Sequence, residues 1–245
     1  MKTKDLARIA LLLVLISVLL YLVHYAIFRD ARFILLYLLY DLAFLPLEVL
    51  LVTVIINGLL SAREQQERQR KMNMVIGAFF SAVGQRLLKH LADLASDQAE
   101  ISARVAIDPA WSEGQIRQAI AWSKNREFKM QPDVKGLGRL RDVLAQHREF
   151  MVRLLENPML LEHEAFSDLL WAVFHLEEEL SARRELSASP PADLAHLATD
   201  AERAYTHLLV QWLEYMIHLR ASYPFLFSFA ARTNPLRPDA RPEVV

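Results

Sequence analysis

The chain has 245 residues, of which 53% are hydrophobic, and a formal net charge of -1 at pH 7. This balance excludes a basic nucleic-acid-binding surface, and the absence of cysteine excludes disulfides, thiolate nucleophiles and cysteine-based zinc sites. With six glycines and neither GxGxxG nor GxxxxGK[ST] spacing, the chain also lacks the common nucleotide-binding loops, so no cofactor is expected.

The first predicted element is an apolar helix over residues 9–28, which follows a short basic N-terminus. About 20 apolar residues match a hydrocarbon core about 30 Å thick. The segment is too long for the core of a signal peptide, and no small-x-small cleavage site follows it. We therefore expect an uncleaved signal anchor.

A second apolar run covers residues 33–61. As one straight helix its roughly 29 residues would extend about 43 Å and overshoot the hydrocarbon core. Tyrosine, histidine and charged residues lie between the two most apolar blocks, as is typical of an interfacial belt. The sequence thus predicts a transmembrane hairpin in residues 1–61, with spans at about 9–25 and 43–61. Residues 26–42 are expected to form a turn and a short helix at the interface.

Basic residues near the two spans predict their orientation. By the positive-inside rule, the flank with more Lys and Arg stays in the cytoplasm. This places both termini on the cytoplasmic side of a prokaryotic inner membrane. The basic residues before the first span, in the hairpin and after the second span are, in turn, Lys2, Lys4 and Arg8; Arg29 and Arg32; and Arg63, Arg68, Arg70 and Lys71.

Two carboxylates and a proline interrupt the second apolar run. Pro46 is expected in the first turn of the span, where a missing N–H costs least. Asp41 would then lie at the outer interface and Glu48 a turn or two inside the membrane. A carboxylate facing lipid is costly, so Glu48 should be neutral, paired, or turned toward protein or water.

Two hypotheses follow for Glu48. It could form an intramembrane ion pair with Arg29 or Arg32 of the hairpin, or with a neighbouring subunit. Alternatively, Asp41 and Glu48, seven residues apart on one helical face, could line the outer mouth of an oligomeric cation pore. The next polar residues lie on a different face, and the lack of a continuous polar stripe favours anchoring.

Residues 61–94 contain no proline and many strong helix formers, so the second span is expected to continue as one helix into the cytoplasm. Gly77, Ser81 and Gly84 form a small-residue face that permits close approach of another helix. Packing within the domain and self-association are the two interpretations of this face.

The remaining pattern predicts an all-α cytoplasmic domain over residues 62–231. Amphipathic runs at about 115–125, 137–156, 163–184 and 192–221 are separated by loop signals, as in a helical bundle. No alternating apolar pattern indicates a sheet. The tail, residues 232–245, holds three prolines and is expected to be extended or mobile.

Histidine and acidic residues recur near heptad spacing on the two longest runs. If the two faces met, they could converge as in the metal site of a helical bundle. The Glu-x-x-His motif of di-iron bundles and the HExxH motif are both missing, so a solvated, salt-bridged face is favoured, with no metal or catalytic residue assigned. The residues are Glu164, Asp168, His175 and Glu178 on the first run, and His196, Asp200, Arg203, His207, Glu214 and His218 on the second.

Three stretches, "KMNMVIGAFFSAVG", "ENPMLLEHEAFSDLLWAVFHLEEEL" and "YPFLFSFAARTNP", resemble an uncharacterised group of prokaryotic two-span membrane proteins with a cytoplasmic helical domain. The resemblance covers most of the chain. It implies a recurring architecture and brings no activity, cofactor or site residue with it.

The sequence as a whole predicts a membrane-anchored interaction protein: a scaffold, receptor or regulatory subunit that forms a homo-oligomer. Its expected partners are the lipid bilayer and an unidentified protein, with no nucleic acid. The alternative is an oligomeric ion channel or transporter gated by the helical domain. An enzyme ranks third, because no catalytic spacing is present.

Overall fold

A computed structural model describes residues 3–131, 133–161 and 163–243. Within these ranges the chain is all-α, as predicted, and contains no strand apart from an isolated bridge between Ala95 and Met130. The chain divides into a first compact unit that ends at Gln65 and a second that begins at Gln66. Lys2, which the predicted orientation uses, lies outside the described residues.

The first unit consists of helix α1, Thr3–Phe28, and the beginning of helix α2, Ala31–Phe79. Only Arg29 and Asp30 separate them. Arg29 has a φ of 52°, and its amide donates to the carbonyl of Tyr25 at 2.8 Å, which ends α1 with a left-handed residue. Asp30 Oδ1 accepts hydrogen bonds from the amides of Arg32 and Phe33, both at 3.1 Å, and so caps α2.

This cap accounts for two differences from the sequence prediction. Residues 26–42 do not form a separate short helix, because α2 begins at Ala31 and continues through apolar helix formers. Pro46 consequently lies inside α2 and not in its first turn. Its ring nitrogen cannot donate to the carbonyl four residues earlier, so the helix lacks one hydrogen bond there.

The predicted continuation of the second apolar helix is confirmed. Helix α2 runs to Phe79, a single π-helical turn covers Phe80–Gly84, and helix α3 follows at Gln85–Leu94. A π turn of this kind inserts an extra residue into a helix without ending it. Within this π-helical turn, Phe80, Val83 and Gly84 are buried in the core of the second unit.

The rest of the second unit is a set of helices joined by short loops. The runs predicted at about 115–125, 137–156, 163–184 and 192–221 correspond to α5 (Glu113–Lys124), α6 (Val134–Leu155), α8 (Glu164–Ala182) and α9 (Pro191–Ser222). Three shorter helices, α4 (Gln98–Val105), α7 (Pro158–Leu161) and α10 (Pro224–Arg232), were not predicted. A capping box of Ser112 and Gln115 forms at the start of α5.

Helix α9 lies at the centre of the second unit and contacts α3, α5, α8 and α10. Its apolar face supplies Tyr205 and Trp212, which are fully buried. The Trp212 ring meets Phe80 of the π turn edge-on at 5.2 Å, and Tyr205 meets Phe128 at 4.9 Å. These aromatic contacts pack the π turn and the loop before α6 against α9 within the core of the second unit.

The described part of the tail packs against the second unit, contrary to the predicted extended or mobile segment. Asn234 and Leu236 are buried, and the Leu236 carbonyl accepts a hydrogen bond from Ser102 Oγ at 2.9 Å. Arg237 donates to Asp108 at 3.0 Å. The prolines of the tail favour turns, and these turns pack against the second unit. From composition alone, such a segment cannot be told apart from a mobile one. Residues 244–245 lie outside the described residues.

Candidate functional site

The first unit contains a cleft between α1 and α2 that is partly lined by polar side chains. Its volume is about 430 Å³, and His24 of α1 and Asp41 of α2 both line it, with Tyr21 and Tyr37. The His24 ring stacks on Phe33 with centroids 5.9 Å apart, and its Nδ1 is buried with no hydrogen-bond partner. Asp41 and His24, a histidine that the sequence hypotheses did not include, thus line the same cleft.

Glu48 does not join this group. It is exposed on α2, and no ion pair involves it among the described residues. Arg32 and Glu48 are 16 residues apart on the same helix, a separation of roughly 24 Å, and Arg29 lies one turn further away at the end of α1. The structure therefore keeps Glu48 apart from both arginines, and an ion pair between them within one chain does not form.

Two of the three residues of the small-residue face, Gly77 and Gly84, pack closely against side chains of the second unit. A Cβ added at Gly77 would lie 2.8 Å from the hydroxyl of Tyr215, and one at Gly84 would lie 2.6 Å from the Phe80 ring. Ser81 is exposed. Glycine is required at Gly84 because a methyl group there would collide with buried rings.

The second unit brings together three of the predicted histidine and acidic residues. His175 comes from α8, while His196 and Asp200 occupy adjacent turns of α9. Both imidazole Nε2 atoms approach the same oxygen, Asp200 Oδ2, at 3.4 Å from His175 and 3.3 Å from His196. The three candidate ligand atoms all lie within 4.8 Å of one another.

The burial of this cluster is uneven. The Asp200 side chain is only 1% exposed, whereas the side chains of His175 and His196 are 45% and 53% exposed. Arg203 holds the other oxygen, Asp200 Oδ1, at 3.0 Å. Asp200 Oδ2 is buried without a hydrogen-bond partner, which is uncommon because desolvating a carboxylate oxygen is costly.

A second ion-paired group borders the cluster. Arg183 binds Asp193 with contacts of 2.8 and 2.5 Å and also binds Glu179 at 2.8 Å. The hydrogen bonds from Arg183 lower the pKa of Asp193 to about 2 and also lower the pKa of Glu179. Glu179 Oε2 lies 3.9 Å from His196 Nε2, so the two groups are adjacent.

The remaining predicted residues lie elsewhere. Glu214 pairs with Lys124 at 3.1 Å, and His218 contacts Asn73 at 3.1 Å, where burial lowers the pKa of the imidazole. Glu164, Asp168 and Glu178 are exposed, and His207 is half-buried outside the cluster.

Sequence reasoning missed Glu179, Arg183 and Asp193. The i, i+4 spacing of Glu179 and Arg183 signals a helical ion pair. The contact of Arg183 with Asp193 crosses the loop between α8 and α9, so helical spacing could not indicate it.

Comparison with known proteins shows similarity along nearly the whole chain. Residues 68–232 match the model for the C-terminal helical domain of the uncharacterised protein MJ1433, and residues 2–60 match its N-terminal helical domain. The uncharacterised protein MJ1433 of Methanocaldococcus jannaschii is 42% identical over 227 residues, which cover 93% of this chain and 91% of that protein. No solved structure gives a significant match.

Proposed function

We propose, from the premise that the chain belongs to the uncharacterised MJ1433 family, that it is a membrane-anchored interaction protein. Its first unit would anchor it in a bilayer, and its second unit would bind a protein partner or another copy of the chain. The observation that carries this proposal is α2, a single helix that begins in exposed apolar residues and ends in the buried core of the second unit.

The exposure of the apolar residues supports the anchor. Among the described residues, two helices are long and apolar enough to cross a membrane, and the most apolar windows of both are entirely unburied. The central helix of a soluble protein would instead be covered by other elements. A signal sequence could account for α1, but α2 is joined to the second unit by unbroken helix and would remain attached after any cleavage.

Single-cysteine labelling tests the anchor and its orientation, because the chain has no cysteine of its own. Ala31, at the start of α2, would face the outside of a prokaryotic inner membrane, and Ser187, between α8 and α9, would face the cytoplasm. We expect a membrane-impermeant maleimide to label Ala31→Cys in intact cells and Ser187→Cys only after lysis. Equal labelling of both variants in intact cells would reject this orientation.

The exposed face of α10 is the surface that we assign to the interaction. Phe225 is 72% exposed and Phe229 52% exposed, with Leu226 beside them, while the opposite face of α10 is buried. Elsewhere in the described part of the second unit, the exposed large apolar side chains are Met74 and Trp171. A cluster of aromatic residues on one exposed helix face is typical of a protein-protein contact.

Site-specific photocrosslinking tests this surface in the full-length protein. A photoreactive amino acid at Phe225 should give a crosslinked product, to a second copy or to another protein. The same amino acid at Arg184, an exposed position in the loop after α8, serves as the control and should give none. Absence of a product at Phe225, or an equal yield at both positions, would contradict the proposal.

One observation favours the channel as a second candidate: His24 and Asp41 both line the cleft between the apolar helices of the first unit. Ionisable residues in that environment are typical of ion pathways. A channel with Glu48 near its outer mouth predicts that Glu48→Gln changes ion flux in liposomes while the oligomer stays intact. Absent or unaltered flux would reject it and leave the anchor.

A further inference from the structure

We propose that His175, His196 and Asp200 form a binding site for one divalent transition-metal ion of the zinc class. This site goes beyond the proposed anchoring function and does not depend on it. It is formed by α8 and α9 alone, which are both helices of the second unit.

The chemistry of the three donors suits such an ion. Two neutral imidazole nitrogens and one carboxylate oxygen are the ligand set of many three-ligand zinc sites that keep a further position open for water. Imidazole favours zinc, copper, nickel and iron, whereas calcium and magnesium favour oxygen ligands only. The mixture of donors therefore indicates a transition metal.

The distances agree with this assignment. Two ligands on a tetrahedral zinc ion with bonds of about 2.0–2.2 Å lie about 3.3–3.5 Å apart. Asp200 Oδ2 is 3.4 Å from His175 Nε2 and 3.3 Å from His196 Nε2. The ligand nitrogens of His175 and His196 lie within 4.8 Å of each other. Small rotations of these two half-exposed imidazoles would bring the nitrogens to the same spacing.

The buried carboxylate oxygen is a second, independent indication of a ligand. Asp200 Oδ2 is buried and has no hydrogen-bond partner, although both imidazoles face it. Its companion oxygen is held by Arg203, so the carboxylate is fixed with one oxygen satisfied and the other directed at the histidines. Metal ligands are commonly oriented in this way by a partner outside the coordination sphere.

The surrounding charges also permit a cation. Arg183 is already paired with Glu179 and Asp193, and Arg203 is paired with Asp200. With neutral imidazoles, the three carboxylates exceed the two guanidinium groups by one negative charge. Glu179 Oε2, 3.9 Å from His196 Nε2, is placed to accept a hydrogen bond from a metal-bound water.

The test uses full-length protein in detergent, without a histidine tag and stripped by a chelator. Titration with Zn²⁺ by calorimetry should give one ion per chain, and Co²⁺ should give the visible absorption of a site with nitrogen and oxygen ligands. His196→Ala and His175→Ala should each weaken Zn²⁺ binding by at least roughly 100-fold. Both side chains are half-exposed, so these variants are expected to fold.

His207→Ala is the matched control, because His207 lies on α9 outside the cluster. It should bind Zn²⁺ as the native chain does. Zn²⁺ should also raise the Tm of the native chain and of His207→Ala but not of His196→Ala, since a ligand stabilises only a fold that binds it. Failure of the native chain to bind Zn²⁺, or equal binding by His196→Ala and His207→Ala, would overturn the site.

Discussion

The two units contain similar apolar residues in opposite environments. In the first unit, Leu51 and Val52 of α2 are 56% and 50% exposed; in the second, Leu208 and Trp212 of α9 are 0% exposed. The second unit covers its apolar side chains with its own helices, so its stability should depend on packing within the chain. The first unit leaves them uncovered, so its stability should depend on what surrounds the chain.

This difference also explains where polar groups are found. In the second unit, the buried charged residues Glu177 and Asp200 are each paired with an arginine, Arg148 at 3.1 Å and Arg203 at 3.0 Å. In the first unit the local structure is fixed by backbone bonds and by the Asp30 cap, and Glu48 has no ion-pair partner among the described residues. The units should therefore respond differently to the same kind of substitution.

The largest expected effect is that of truncating the central aromatic residue. Trp212→Ala should lower the free energy of unfolding of the second unit by about 3–5 kcal/mol, since it removes a fully buried ring that packs against Phe80. Leu51→Ala, at an exposed position of the first unit, should change it by less than about 0.5 kcal/mol. Denaturant titrations followed by far-UV circular dichroism measure both, and similar losses from the two substitutions would show that Leu51 is packed as tightly as Trp212.

Two glycine-to-alanine substitutions should change the free energy of unfolding by smaller amounts and in opposite directions. Gly84→Ala should destabilise the second unit by about 1–3 kcal/mol, because the added Cβ would lie 2.6 Å from the Phe80 ring and 2.8 Å from the Phe79 ring. Gly138→Ala, within α6 and with nothing in 4 Å of the added atom, should stabilise it by about 0.5–1 kcal/mol. The same titrations test this pair, and destabilisation of equal size at both positions would show that the close approach at Gly84 is unimportant.

The smallest expected effect concerns acid stability. Arg183 lowers the pKa of Asp193 to about 2 and lowers that of Glu179. A carboxyl group whose pKa is lower in the folded than in the unfolded state contributes stability above its unfolded pKa of about 4. That contribution is lost as the pH falls toward the folded pKa.

Arg183→Met should therefore reduce the loss of stability between about pH 5 and pH 2. Arg184→Met, at the neighbouring exposed position, should leave that dependence unchanged. Thermal melts at several pH values provide the measurement. An acid dependence of Arg183→Met that matches the native chain would show that the pairing contributes nothing.

Much of the second unit could be predicted because helical periodicity determines which face is buried. The residues that helical spacing places on the apolar faces of α8 and α9, including Phe166, Leu170, Tyr205 and Trp212, are all buried. Helices α4 and α10 escaped prediction because they are short and their apolar residues do not repeat over enough turns. The tail was predicted to be extended or mobile because its proline-rich composition is typical of mobile segments. In the structure its turns pack against the second unit.

The candidate site could be predicted only in part. Spacing alone placed His196 and Asp200 on one face of a helix and His175 on another. It could not show that the two faces meet at Asp200 Oδ2, since that depends on how α8 packs on α9. Likewise, the start of α2 at Ala31 depends on the Asp30 cap, which lies within a stretch of charges that resembled an interfacial belt.

Membrane fractionation of the full-length chain tests whether α1 and α2 anchor the protein in a bilayer. The chain should stay in the membrane pellet through washes with high salt and alkaline carbonate and should be released by detergent, whereas a fragment of residues 66–245 should remain in the supernatant. Release of the full-length chain by carbonate alone would contradict an anchor formed by α1 and α2.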